Sequence, residues 1–265
     1  MTDVATRPYS TELSKGQGAI TETLTLLEHW QPGEHRQALA QRIRDQGILG
    51  RATANRVDDL VQRVFVRRYL VEEDRPAVYL KRLLAGQADP ALIRQLMLIY
   101  TARQHPILRD FLGLVYWPRY HDGARLLARA DAEAFIKEAQ ADGRIATAWS
   151  ASMQERVARN LVGTLGDFGL VENTRQTVRH LLPYRLLPTT ALYLAHEIHF
   201  RGVGDNSIPV DPDWALFGLT REAVVEMLER VSRGGHFIVQ YSGELLRIAW
   251  RYRTMEECLD GLAGQ

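Results

Sequence analysis

Two hydrophobic periodicities abut within residues 149–182, WSASMQERVARNLVGTLGDFGLVENTRQTVRHLL, and few small folds accommodate both. Met153, Val157, Leu161 and Leu165 recur at helical spacing and form a stripe that must be buried. Ser152 stands three residues before Glu155, the spacing of a capping box, and predicts the start of this helix. Arg156, Arg159 and Asn160 fall away from the stripe and are expected to face solvent or a partner. Gly166 and Gly169 end the helical pattern, because glycine enters the left-handed conformation that closes a helix at little steric cost. Leu170 and Val171 then open an extended stretch in which Arg175, Thr177 and Arg179 alternate with Gln176 and Val178, so that a strand would set both arginines on one face. Helix, glycine stop and basic strand together suggest the helix and wing of a winged helix, whose exposed arginines would meet phosphate. A small α+β domain whose arginines are simply solvated has the same pattern.

Total charge does not decide between these readings. The 265 residues carry a formal net charge of only +1, so any attraction to a polyanion has to come from local clustering. The basic residues are nearly all arginine: Lys15, Lys81 and Lys137 are the lysines among 33. Arginine makes planar, bidentate contacts to phosphate and guanine, although codon composition alone also produces such a skew. Cys258 is the single cysteine, which excludes an intrachain disulfide and a cysteine-based zinc site and fits a reducing cytoplasm. Charges interrupt every apolar run well before the ~18 residues that suggest a membrane span, and the N-terminus lacks the pattern of a signal peptide. A soluble cytoplasmic chain is expected.

The first half reads as successive amphipathic helices with short polar connections. Ile20, Leu24, Leu27 and Trp30 mark one, stopped by Pro32 and Gly33; Leu39 and Ile43 mark the next, ended at Gly47. Thr53 caps a third, with Val57, Leu60, Val61, Val64 and Phe65 inward and Arg56, Arg63 and Arg67 together on the opposite side. Asp89-Pro90 and His105-Pro106 begin two more, the latter ending before Pro118, and Asp131 caps another. After a helix from about Thr189 to Phe200, RGVGDNSIPVDPD reads as a mobile loop. Thr220 caps a helix, and HFIVQY and ELLRIAWRY then form a hairpin through Ser242-Gly243. Its second strand sets Leu246, Ile248, Trp250 and Tyr252 against Arg247, Arg251 and Arg253, the faces of a DNA-contacting wing or of a sheet edge blunted by charge.

Motifs of catalysis are incomplete. His196-Glu197-Ile198-His199 spaces its histidines by three rather than the four of a zinc-protease helix, with no third ligand nearby. Asp167-Phe168-Gly169 lacks the other kinase motifs, and Gly16-Gln17-Gly18 follows no strand, so neither a magnesium tripeptide nor a phosphate loop is read there. Tyr116, Trp117, Arg119, Tyr120 and His121 form an aromatic-basic cluster that would stack on bases, seat a partner, or pack a helix end into the core.

Three segments carry a family resemblance: YSTELSKGQGAITETLTLLEHW at Tyr9 to Trp30, HPILRDFLGLVYWPRY at His105 to Tyr120, and SMQERVARNLVGTLGDFGLVENT at Ser152 to Thr174. In order and spacing they resemble the BrxA family of BREX (bacteriophage exclusion) systems over roughly residues 9 to 180. The resemblance implies a small, mainly helical, non-enzymatic phage-defence component that binds double-stranded DNA and acts beside a DNA methyltransferase and other BREX proteins. It supplies no catalytic motif, and the role of the segment after about Leu187 stays open.

The sequence therefore predicts a mostly α protein: an N-terminal helical bundle over 1–140, then a winged-helix-like α+β part over 141–265 that ends in a β-hairpin. Duplex DNA is expected to be held mainly through phosphates by Arg156, Arg159, Asn160, Arg175 and Arg179, with Arg247, Arg251 and Arg253 as a second surface. No cofactor, metal or small-molecule substrate is expected. The competing expectation is a protein-protein adaptor without DNA contact, marked by a large exposed apolar patch at Trp117 or Trp250.

Overall fold

The computed structural model describes residues 7–242 and 245–263, and it is mostly helical with two small antiparallel sheets. Gly243 of the expected hairpin turn lies outside the described residues. The chain forms two compact units, Met1–Val78 with Met97–Tyr184 and Tyr79–Leu96 with Arg185–Gln265. The boundary expected near residue 140 falls inside the first of these.

In the first unit, α1 (Ile20–His29) and α2 (Arg36–Asp45) follow the apolar stripes of the sequence. The next helix is continuous over 54–69: α3 (Ala54–Asp58), capped by Thr53 Oγ1 on the Arg56 amide, a π-type segment Asp59–Phe65, and α4 (Val66–Tyr69). Trp30, Phe65, Tyr69 and Tyr100 form a chain of buried rings through this core. Arg56, Arg63 and Arg67 do not form a free basic face. They pair with Glu22, with Glu12 and Asp59, and with Glu12.

The chain passes between the units along α5 (Arg75–Ala85) and α6 (Pro90–Gln104). It then forms α7 (Pro106–Phe111), a π-type segment Leu112–Tyr116 and α8 (Trp117–His121) without a break. The helix was expected to end before Pro118; it continues because the wider π turns shift the hydrogen-bond pattern, so the missing proline amide is not required there. β1 (Leu126–Ala128) follows, a strand too short to leave a pattern in the sequence. α9 (Arg129–Ala141) is not capped by Asp131 from outside; Asp131 lies in its first turn and its carboxylate accepts the Ala128 amide at 2.8 Å.

α10 (Ala151–Asp167) starts two residues before the expected position, with Ser150 extended and its Oγ accepting the Met153 amide at 3.3 Å. Gly169, at φ +78°, closes the helix as expected. Leu170 and Val171 are extended: Val171 bridges Leu181, and the Leu182 amide donates to Leu170 O at 3.0 Å. β2 (Val178–His180) pairs antiparallel with β1, Leu127 opposite Arg179. The spatial order is thus 170–172, β2, β1.

The second unit contains α11 (Pro188–Phe200), α12 (Arg221–Ser232, capped by Thr220), the hairpin of β3 (Phe237–Ser242) and β4 (Leu245–Trp250), and α13 (Met255–Ala263). The expected mobile loop is instead two 3-10 turns, Asp205–Val210 and Pro212–Phe217. The buried Trp214 donates Nε1–H to Ile208 O at 2.7 Å, and Arg201 pairs with Asp211 at 2.8 Å, so side-chain anchors overrule the loop-forming composition.

The histidines of the HEIH sequence pack against this hairpin. His196 is fully buried among Phe237, Trp250 and Tyr252, with Nδ1 2.8 Å from Leu192 O, while His199 stacks on Trp250 at 4.3 Å. Burial disfavours the imidazolium and lowers the His196 pKa from 6.5 to about 4. Between these values the unfolded chain binds a proton that the folded chain excludes. The stabilisation is therefore complete above pH 6.5 and is lost as pH falls toward 4, by about 3 kcal/mol in total. Urea denaturation of wild type and His196→Gln across this range is expected to give curves whose separation shrinks on acidification; a constant separation would show that His196 does not titrate in this way.

Candidate nucleic-acid interface

Three segments of the first unit meet around α10. Gln17 Nε2 donates to Asn160 Oδ1 at 3.0 Å, the Gly18 amide donates to Asp167 Oδ2 at 3.0 Å, and Tyr116 Oη donates to Leu170 O at 3.0 Å. A Cβ on Gly18 would lie 2.6 Å from Asp167 Cβ, and one on Gly16 would lie 2.5 Å from Val64 Cγ2. The Gly-Gln-Gly turn is glycine-rich so that backbone can lie against α10 and the helix at 54–69. Asn160 is therefore turned inward, 6% exposed, contrary to its expected place beside Arg156 and Arg159. The sequence pattern missed this because the helix is covered on a second side, by the turn, in addition to its apolar stripe.

Arg156 and Arg159 stand one turn apart on the solvent-facing side of α10. Glu155 is their exposed acidic neighbour. Past the helix, residues 172–177 form a tight turn: the Thr174 amide donates to Glu172 O, the Gln176 amide to Thr174 Oγ1, and Asn173 Nδ2 to Asp167 Oδ1. Arg175 is exposed on this turn.

Arg179 does not share a face with Arg175. β2 begins only at Val178, and Arg179 points from its inner face toward α10, 6% exposed, donating Nη1–H to Val162 O and Nε–H to Gln176 O, both at 3.3 Å. Desolvation lowers its pKa, while the Asp167 carboxylate acts in the opposite direction. Asp167 is itself raised above the usual carboxylate range by burial, against the Gly18 amide that favours its charged form. Gly166 makes room for this arrangement, since a Cβ there would lie 3.0 Å from Arg179 Nη1 and 3.2 Å from Asn173 Cα. Arg179 fastens the turn that presents Arg175 and is not itself a surface contact.

The hairpin arginines lie in the second unit. β4 buries Leu246 and Ile248 and exposes Arg247 on the other face, as expected. Arg251 and Arg253 follow the strand and are exposed; Arg251 lies over the Tyr252 ring at 5.8 Å.

These arginines differ from several others of the chain in what they touch, although among the described residues exposed Arg36, Arg51, Arg94 and Arg125 likewise have no carboxylate within ion-pair distance. Arg42 pairs with Glu34 at 2.6 Å, Arg82 with Asp260 at 2.7 Å and Arg129 with Glu133 at 2.9 Å. Among the described residues, Arg156, Arg159, Arg175, Arg247, Arg251 and Arg253 have no carboxylate within ion-pair distance. A guanidinium already held by a carboxylate must surrender that partner to meet phosphate, whereas an exposed unpaired one exchanges only water and counterions.

The aromatic-basic cluster is packing. Tyr116 and Trp117 are buried and meet edge to face at 4.8 Å, and Arg119 pairs with Asp131. Exposed large apolar side chains lie elsewhere, including Leu126 and Val178 on the outer face of the β1-β2 ribbon. Among the described residues, no helix is long and apolar enough to cross a membrane.

The family model BrxA matches residues 7–197 of the chain. No curated protein matches it.

Proposed function

We propose, from the premise that this chain belongs to the BrxA family and is thereby a component of BREX phage defence, that its role there is non-enzymatic binding of double-stranded DNA in the cytoplasm, beside a DNA methyltransferase and other BREX proteins. The observation that carries this reading is the set of exposed, carboxylate-free guanidiniums on α10 and on the turn after it: Arg156, Arg159 and Arg175. The order of elements supports it. A strand (β1), two helices (α9 and α10), the extended 170–172, a turn and a returning strand (β2) that pairs with β1 follow one another as in a winged helix. On this reading α10 is the DNA-facing helix and 173–177 is the wing, so the wing lies within 117–182 and the C-terminal hairpin is a separate element. Arg247, Arg251 and Arg253 then form a second phosphate-binding surface of the other unit.

Phosphate contacts orient a protein on DNA without reading bases, so binding to unrelated duplexes is expected to differ little. Titration of a fluorescent duplex at several salt concentrations tests this, since log K falls by about 0.9 per phosphate neutralised for each decade of salt. Absence of binding at low salt overturns the reading. It would favour the adaptor role instead, for which exposed Leu126 and Val178, 45% and 42% accessible on one ribbon face, offer a contact surface.

A further inference from the structure

The β3-β4 hairpin has one edge closed from within the chain and one left open. In an antiparallel ladder alternate residues turn their amides and carbonyls toward the partner strand and the rest turn outward. The Arg251 amide donates to His236 O at 3.2 Å, which extends the ladder and fixes its phase. Leu246 and Ile248 are therefore among the outward residues of β4, and their amides are met by Asn206 Oδ1 at 2.6 Å and Asp205 Oδ2 at 2.9 Å. On β3 the outward residues are Phe237, Val239 and Tyr241. Among the described residues, the main chains of Val239 and Tyr241 have no hydrogen-bond partner on that side.

Open edges of monomers are commonly blunted by a charge, a proline or a bulge. β3, Phe-Ile-Val-Gln-Tyr-Ser, has no charged residue and no proline, and its register with β4 runs without a bulge. Ile238, Tyr241 and Leu245 of the same hairpin are 63%, 44% and 49% exposed.

We propose that the open edge of β3 pairs with β3 of a second copy of this chain, antiparallel across a two-fold axis, to make one four-stranded sheet. A two-fold axis sets a strand against its own sequence, so like charges on it would face each other and repel. β3 is uncharged and meets this condition. Centred on Val239, the pairing sets Phe237 opposite Tyr241 of the second copy. The Asp205 and Asn206 caps close β4, so the pairing ends at two copies and cannot propagate into a fibre.

Sedimentation velocity and light scattering of the full chain test this. Wild type is expected at twice its 30.1 kDa. Ile238 faces Gln240 of the second copy on the exposed outer face, so the double variants Ile238→Lys/Gln240→Lys and Ile238→Glu/Gln240→Glu each weaken association at least tenfold, and an equimolar mixture of the two restores the doubled mass. Val239→Pro removes an amide that points away from β4, so the hairpin keeps its ladder while the second copy is excluded; circular dichroism checks that the fold persists. A monomeric wild type, charge variants that stay dimeric, or a mixture that stays monomeric would each overturn the proposal.

Discussion

Replacing Arg156, Arg159 and Arg175 together by alanine is expected to weaken duplex binding about a hundredfold at physiological salt and to lower the slope of log K against log salt by about 2.7, three phosphates at about 0.9 each. All three side chains are exposed, so the fold should be insensitive to the change. The corresponding triple lysine variant keeps the charges and is expected to retain most of the affinity. Alanine at Arg42 and Arg82, which are held by Glu34 and Asp260, should leave binding unchanged. Arg179→Ala is a separate case: it removes the guanidinium hydrogen bonds to Val162 O and Gln176 O and loosens the turn that presents Arg175, so it is expected to lower stability as well as affinity. Fluorescence anisotropy with denaturation midpoints in parallel separates the two effects. Equal affinity in wild type and the triple alanine variant would remove α10 and its following turn from any DNA interface.

Gly18→Ala is expected to cost about 3 kcal/mol, the sum of overpacking at roughly 1–3 kcal/mol and a weakened bond to a carboxylate at roughly 1.5–3 kcal/mol, allowing for partial relaxation. The added methyl would sit 2.6 Å from Asp167 Cβ and 3.0 Å from its Oδ2, atoms at the end of a buried helix that have little room to move. For a chain of this size that corresponds to a fall in Tm of about 10 °C, which thermal denaturation would register directly. A Gly16-Gln17-Gly18 turn that served as a phosphate loop would give another result, with stability kept and ligand binding lost. A variant as stable as wild type would therefore contradict the packing role assigned to this turn.

The helices of the first half were legible because each buries one stripe, and a stripe leaves a period. Thr53 and Thr220 were legible as caps because a hydroxyl before an apolar run satisfies an amide that the first turn leaves unpaired. β1 and β2 were harder to read. Three residues cannot display an alternation, and in the basic stretch the alternation at Arg175 to Arg179 continues through a turn that is not strand. Asn160 and Arg179 were misplaced for one reason: each is polar, and each is buried because a distant segment brings it a hydrogen-bond partner, Gln17 in one case and the α10 carbonyl of Val162 in the other. Arg56, Arg63 and Arg67 were correctly grouped, but the acids that neutralise them include Glu12 and Glu22, far away in the chain.

What the sequence by itself determined is local: where helices run, which faces are apolar, that a C-terminal hairpin forms, and which family the ordered segments resemble. Tertiary structure decided which arginines remain available to a polyanion. Availability depends on desolvation and on whether a carboxylate lies within about 4 Å, and segments remote in sequence set both quantities. The periodicity of a helix records its own buried side, and it carries no trace of the chain that folds back over another.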